Sequence, residues 1–251
     1  MKLPWRWSPV VAHRCGGRLA PENSLEGLAR AAAAGLQCVE FDVMLAQCGT
    51  PVVIHDETLE RTTCGEGRVA DTAWSALKSL RLRDVHGTPT DSRLPSLVQV
   101  LDACALHGLA ANLEIKPSTG CAVQTGRAVA ERLKTWLNDA SLAVLLTSFE
   151  RQALDAAMAV APDLDYGHLF DGEAAAALAA GDLAGCSHLV FNDAHVDESS
   201  IKTAMTRGYG VAVYTVNDAA RARDLWSWGV AGVISDVPDG LATACYDTSL
   251  A

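Results

Sequence analysis

The sequence lacks an excess of positive charge, cysteine pairs at motif spacing, long apolar runs and aromatic clusters, and each lack removes a class of function. Lys and Arg number 20 against 30 Asp and Glu, a formal net charge of −10. A field of that sign repels polyanions and no basic stripe interrupts it, so nucleic acid is not an expected partner. No run reaches the roughly 18 uncharged apolar residues that a spanning helix needs, so no membrane insertion is expected. Aromatic residues make up 6% of the chain and form no patch suited to a bilayer surface. The opening MKLPWRWSPVVAHR carries early cations but no apolar h-region, which argues for a cytoplasmic location rather than secretion. The eight cysteines show no CxxC pair and no Cys/His cluster at zinc-finger spacing. They read as small hydrophobes rather than a disulfide framework.

What is present is a folded α/β pattern. The 251 residues are 49% hydrophobic and 20% charged, enough to bury a sizeable core. Strand-like runs at Val10–Ala12, Cys38–Val43, Ala111–Ile115, Val144–Thr147, Tyr166–Leu169, His188–Phe191, Gly210–Thr215 and Gly232–Ser235 alternate with Ala/Leu-rich helical stretches. Eight such units in this length predict a (β/α)8 TIM barrel, with a doubly wound open sheet as the rival. The rival wants a Gly-rich loop after its first strand, and His13-Arg14-Cys15-Gly16-Gly17 does not match GxGxxG. One stretch breaks the rhythm: a short strand at Pro51–Ile54, then a Gly-, Thr-, Asp- and Arg-rich segment over residues 56–93. The expectation is one domain over residues 1–251, with a small insertion after the second strand capping the C-terminal face, where barrel active sites form.

Charged residues inside parallel strands are costly unless paired or bound to metal. Glu40 and Asp42 lie two apart in CVEFDVML, so both carboxylates share one side of the strand. Glu114 and Lys116 stand in the same relation in ANLEIK. Three converging carboxylates call for a cation, and all-oxygen ligation suits Mg2+, Ca2+ or Mn2+, with Mg2+ expected from its cytoplasmic abundance. The structural alternative is a set of buried ion bridges to Arg or Lys. His13 and His55 each end an apolar strand. Two imidazoles, the cations Arg14 and Lys116, and a divalent metal are the equipment of phosphate-ester cleavage. The other five histidines lack that company and read as structural.

His-Arg followed by APENS, then VEFDV, VVIHDETLERTT and NLEIKP, resembles the glycerophosphodiester phosphodiesterase family, especially its cytoplasmic bacterial branch. The resemblance runs from His13 to about Asp236 and takes in TSF at Thr147–Phe149, Asn192 and YTVN at Tyr214–Asn217. It implies metal-dependent hydrolysis of a small-molecule glycerophosphodiester to glycerol 3-phosphate and an alcohol. It further implies that Glu40, Asp42 and Glu114 hold the metal and that His13 and His55 are the acid/base pair. Arg14 and Lys116 would contact phosphoryl oxygens, while Glu22 and Asn23 would order the loop beside His13, with Asn23 also near the metal. Direct attack by water and attack by the glycerol hydroxyl both fit this equipment. Phe149, at a strand end, is the expected substrate-lining aromatic, and Trp228 the expected packing one.

The chain departs from the family pattern at three places. Cys15 replaces a glycine, with Gly16 and Gly17 available for the turn and a thiol placed where it could bind zinc or oxidise. Ser24 replaces threonine at a helix N-cap, and Gln47-Cys48-Gly49 replaces an Asp-Gly turn. Two other readings are a barrel that cleaves intact phospholipid at a membrane, disfavoured by the acidic balance, and a barrel that only binds. A binding module has no need of an acid/base pair. Self-association into a homo-oligomer is compatible with the sequence and not specified by it.

Overall fold

The computed structural model describes residues 2–3, 5–180 and 182–246, so the expected domain ends at residues 1 and 251 lie outside the described residues. In chain order the elements are β1 (Lys2–Leu3), β2 (Val10–Ala12), α1 (Leu25–Ala33), β3 (Cys38–Leu45), β4 (Pro51–Val53), α2 (Trp74–Leu77), β5 (Arg81–Arg83), β6 (Pro89–Arg93) and α3 (Leu97–His107). There follow β7 (Ala110–Ile115), α4 (Ala122–Trp136), β8 (Leu142–Ser148), α5 (Arg151–Val160), β9 (Asp165–Phe170), α6 (Ala174–Ala180), β10 (His188–Asn192), α7 (Glu198–Thr206), β11 (Gly210–Tyr214), α8 (Ala219–Trp228), β12 (Gly232–Ser235) and α9 (Pro238–Tyr246).

Strands β2, β3, β7, β8, β9, β10, β11 and β12 pair in parallel in that order, and β12 returns to β2, closing the ring. This is the (β/α)8 barrel that the strand–helix rhythm predicts. The doubly wound alternative fails on closure, because Val233 and Ile234 pair with Val10 and Val11 and leave no sheet edge there.

Period-two alternation sorts side chains between two layers. On β3, Val39, Phe41 and Val43 face outward into the layer shared with the helices, which also holds Leu113, Val129, Leu133 and Leu154. The opposite faces carry Cys38, Leu145, Leu169, Val190, Ala212 and Ile234 into the barrel interior. Trp5 and Trp7, whose rings meet edge to face at 5.1 Å, lie at the far end of the barrel, with Trp7 beside His188 at the start of β10. Helix starts follow their capping signals: the Ser24, Asp197 and Asp218 side chains accept from backbone N–H groups at α1, α7 and α8, and Ser96 and Gln99 form a capping box at α3.

The segment between β3 and α3 has its own small core of Met44, Val52, Ile54, Leu59, Val69, Leu77, Leu82 and Leu94. β4 runs antiparallel to β3, so the Gln47-Cys48-Gly49 substitution leaves a hairpin in place, with Gly49 at φ 76°. Within the insertion, α2 and the β5–β6 ribbon are elements that the hydrophobic periodicity did not announce, because both are short and mostly exposed.

Candidate active site

β3 and β7 are in register with Asp42 opposite Glu114 and Glu40 opposite Asn112. Alternation turns all four side chains inward at the C-terminal end of the barrel. Oxygen atoms of Glu40, Asp42 and Glu114 lie within 4.8 Å of one another, and all three residues are buried. At that spacing two ionised carboxylates repel by about 3 kcal/mol at an effective dielectric of 20.

Fixed cations relieve only part of this. Lys116 Nζ stands 3.3 Å from Glu114 Oε1 and 3.5 Å from Asp42 Oδ1, and Arg14 Nε stands 3.8 Å from Asp42 Oδ2. Burial acts to raise the Asp42 carboxyl, but Lys116, His55 and Arg14 outweigh it and hold it below the usual range. Burial, then the charges of Asp42 and Glu114, pushes Glu40 well up, and burial with Asp42 pushes Glu114 up to about 7. Ion bridges therefore exist, yet burial and mutual repulsion still raise two of the three carboxyls. A hard divalent cation suits this all-carboxylate set, and the set could hold one.

His13 follows β2 at the mouth, and its Nδ1 lies 2.7 Å from Asp236 Oδ1 just beyond β12. A carboxylate only accepts, so Nδ1 carries the proton and Nε2, 3.9 Å from Glu40 Oε2, is the free nitrogen. The hydrogen bond from His13 draws the Asp236 carboxyl down to about 2. Asn217 supports Asp236 from β11's end, donating from Nδ2 at 3.1 Å.

His55 repeats the arrangement on the other side. Its Nδ1 is 2.6 Å from Asp56 Oδ1, and its Nε2 is 2.9 Å from Lys116 Nζ. Burial, with Lys116 and Arg14, lowers the His55 pKa against the pull of Asp42 and Asp56. Hydrogen bonds from Arg61 hold the Asp56 carboxyl well below the usual carboxylate range. Arg61 also donates from Nη1 and Nη2 to Glu22 at 2.9 Å each, and Glu22 accepts from Arg14 Nη1 at 2.8 Å. A continuous chain of charge runs from Arg14 through Glu22, Arg61 and Asp56 to His55.

Asn23, at φ 55°, donates from Nδ2 to Asp42 Oδ2 at 2.9 Å and so touches the acidic trio as well as the His13 loop. The turn after His13 departs from expectation. Arg14 and Cys15 are themselves left-handed at φ 50° and 74°, whereas Gly16 is extended and only Gly17, at φ 58°, shares the work. The strain is held because Arg14 N–H donates to Glu40 at 3.0 Å. The Cys15 thiol is fully buried in the core, and burial pushes its pKa far up, so it is neither a thiolate ligand nor an accessible redox group.

These groups line one cavity of ≈ 350 Å³ with Phe149, Leu169, Asp171, Tyr214, Thr215 and Ile234. Every expected site residue except Glu22 and Asn23 lies on its wall, and those two stand directly behind it. Sequence reasoning missed Asp56, Arg61, Asp171 and Asp236. Asp56 and Arg61 were the detectable ones, since both lie in the motif that carries His55, whereas Asp171 and Asp236 reach the mouth only through tertiary contacts. Trp228 instead stacks under Arg221 at 4.8 Å, in keeping with packing.

Fold and site together place the chain among the (β/α)8-barrel enzymes that gather reactive groups at the C-terminal mouth. More narrowly, the model of the glycerophosphoryl diester phosphodiesterase family matches residues 13–240, and the chain belongs to that family. It is 33% identical over 164 residues to a glycerophosphodiester phosphodiesterase of Caldanaerobacter subterraneus, an alignment covering 64% of this chain and 66% of that protein. It is 35% identical over 110 residues to rat glycerophosphodiester phosphodiesterase 1, covering 43% of this chain and 33% of that one. The chain thus spans just under two thirds and one third of these relatives. A phosphodiesterase structure from Oleispira antarctica, in complex with the product sn-glycerol-3-phosphate, superposes with a TM-score of 0.84 at 30% identity, covering 94% of this chain and 96% of that one. Among the described residues, no helix is long and apolar enough to cross a membrane.

Proposed function

We propose that the protein hydrolyses glycerophosphodiesters to sn-glycerol 3-phosphate and an alcohol, with His13 and His55 as the acid/base pair. One observation carries this reading: both imidazoles, each held through Nδ1 by its own carboxylate, meet on the cavity that contains the acidic trio. Arg14 and Lys116 receive the phosphoryl oxygens, where developing negative charge rewards preplaced cations. An incoming phosphoryl group draws Lys116 away from His55 Nε2 and frees that lone pair. His55, its pKa lowered by burial, then takes the nucleophile's proton at Nε2. His13, oriented through Nδ1 by Asp236, serves as the acid when it carries a proton at both ring nitrogens, giving the one on Nε2 to the leaving oxygen. Glu40, Asp42 and Glu114 would hold a divalent cation, Mg2+ by abundance, which supplies Lewis-acid polarisation of the phosphoryl group when bound.

The test is release of glycerol 3-phosphate from glycerophosphocholine with Mg2+ and again with excess chelator. Release is expected only with metal, and His13→Ala and His55→Ala are expected to lose at least about 100-fold in kcat while folding normally. No release from any glycerophosphodiester with Mg2+, Ca2+ or Mn2+ would refute the assignment.

A further inference from the structure

The cavity has two chemically different halves. Its β2, β3 and β7 side holds the acidic trio, Arg14 and Lys116, and suits the phosphoryl group and the hydroxyls of glycerol. Its β8, β9 and β11 side is apolar and aromatic, and Asp171 is the one carboxylate among its lining residues. Phe149 and Tyr214 form a corner there, with ring centroids 5.8 Å apart at 82°. The Phe149 ring already has a cation near it, Lys116 Nζ at 6.0 Å from its centroid.

Asp171 is held in place. Asn192 Nδ2 donates to its Oδ1 at 2.6 Å, and the Tyr214 hydroxyl lies 3.4 Å from the same oxygen. The other carboxylates around the mouth have cationic or imidazole partners: Asp56 and Glu22 have Arg61, and Asp236 has His13. Among the described residues no such partner pairs with Asp171. A fixed, unneutralised carboxylate beside an aromatic corner is a receptor for a positive charge that the protein does not itself supply.

We propose that this half of the cavity is a subsite for a cationic amino-alcohol arm of the diester, of the choline or ethanolamine type, with Asp171 as its counter-ion. The proposal rests on the phosphodiesterase reading above. A neutral glycerol or inositol arm gains nothing from Asp171, and a serine arm brings a carboxylate that Asp171 repels.

The experiment compares kcat/KM for glycerophosphocholine and glycerophosphoethanolamine with that for glycerophosphoglycerol at fixed ionic strength. It adds the uncharged carbon isostere of the choline diester, its 3,3-dimethylbutyl ester. The cationic diesters are expected to lead by about tenfold, the isostere to fall with the neutral group, and Asp171→Asn to bring the cationic-to-neutral ratio close to one. Equal kcat/KM for choline ester and isostere in the unmodified enzyme would overturn the subsite while leaving the hydrolase reading intact. Hydrolysis of none of the four would overturn both. The isostere comparison needs no variant, so a misfolded Asp171→Asn protein would not shield the proposal.

Discussion

Replacing Arg61 by alanine tests whether the segment between β4 and α2 takes part in the chemistry of the site. Arg61 donates from Nε and Nη2 to Asp56 and from Nη1 and Nη2 to Glu22. Its side chain is 48% exposed, so water screens these pairs, and exposed ion pairs contribute about 0.2–1 kcal/mol each. Two pairs lost make a total of about 1 kcal/mol, which for a chain of this size lowers Tm by roughly 2–4 °C. The effect on turnover is expected to be larger. Without Arg61, Asp56 and Glu22 repel each other, and the oxygen that fixes the His55 tautomer at 2.6 Å loses its support. A misplacement of a working side chain by about 1 Å can cost about 100-fold, a barrier change of about 2.7 kcal/mol. Arg61 is not on the cavity wall, so the loss belongs in kcat rather than KM. Arg61→Lys restores the charge but cannot fork to two carboxylates, and recovers only part of kcat. Initial rates over a substrate series, with a thermal melt of each variant, separate these effects. An Arg61→Ala enzyme with kcat within twofold of the parent and the expected fall in Tm would refute the positioning argument.

Two further outcomes follow from particular groups. The His55 pKa is lowered, so its neutral form persists on acidification below the usual histidine value near 6.5. The acid limb of kcat/KM against pH is therefore expected below 6.5, and a limb above that value would contradict His55 as proton acceptor. Gly126 on α4 packs so close to α5 that a Cβ there would collide with the Ala153 carbonyl oxygen. Gly126→Ala is expected to destabilise by about 3 kcal/mol through forced helix displacement, read as a Tm drop of roughly 6–12 °C by calorimetry. An unchanged melt would show that the two helices separate freely.

Much of the architecture was legible in one dimension because it depends on local periods. Alternation along CVEFDVML and ANLEIK turned Glu40, Asp42 and Glu114 to one face before any contact was known, since a strand has only two faces. Ser24, read as an N-cap, likewise marked the start of α1. The ribbon and short helix of the insertion escaped, being too brief and too exposed to carry a period.

Long-range packing alone sets which side chains hold the histidines and what the far wall of the cavity offers. His13 and Asp236 are 223 residues apart and meet because β12 closes the barrel against β2. Arg61 reaches Glu22 across 39 residues, and Asp171 faces the acidic trio from the opposite arc of the ring. Cys15 looked like a reactive thiol beside the site, yet the left-handed turn sends it into the core. Periodicity fixes a side chain's face relative to its own strand, but its partners are set by ring closure, which joins segments with no local pattern in common.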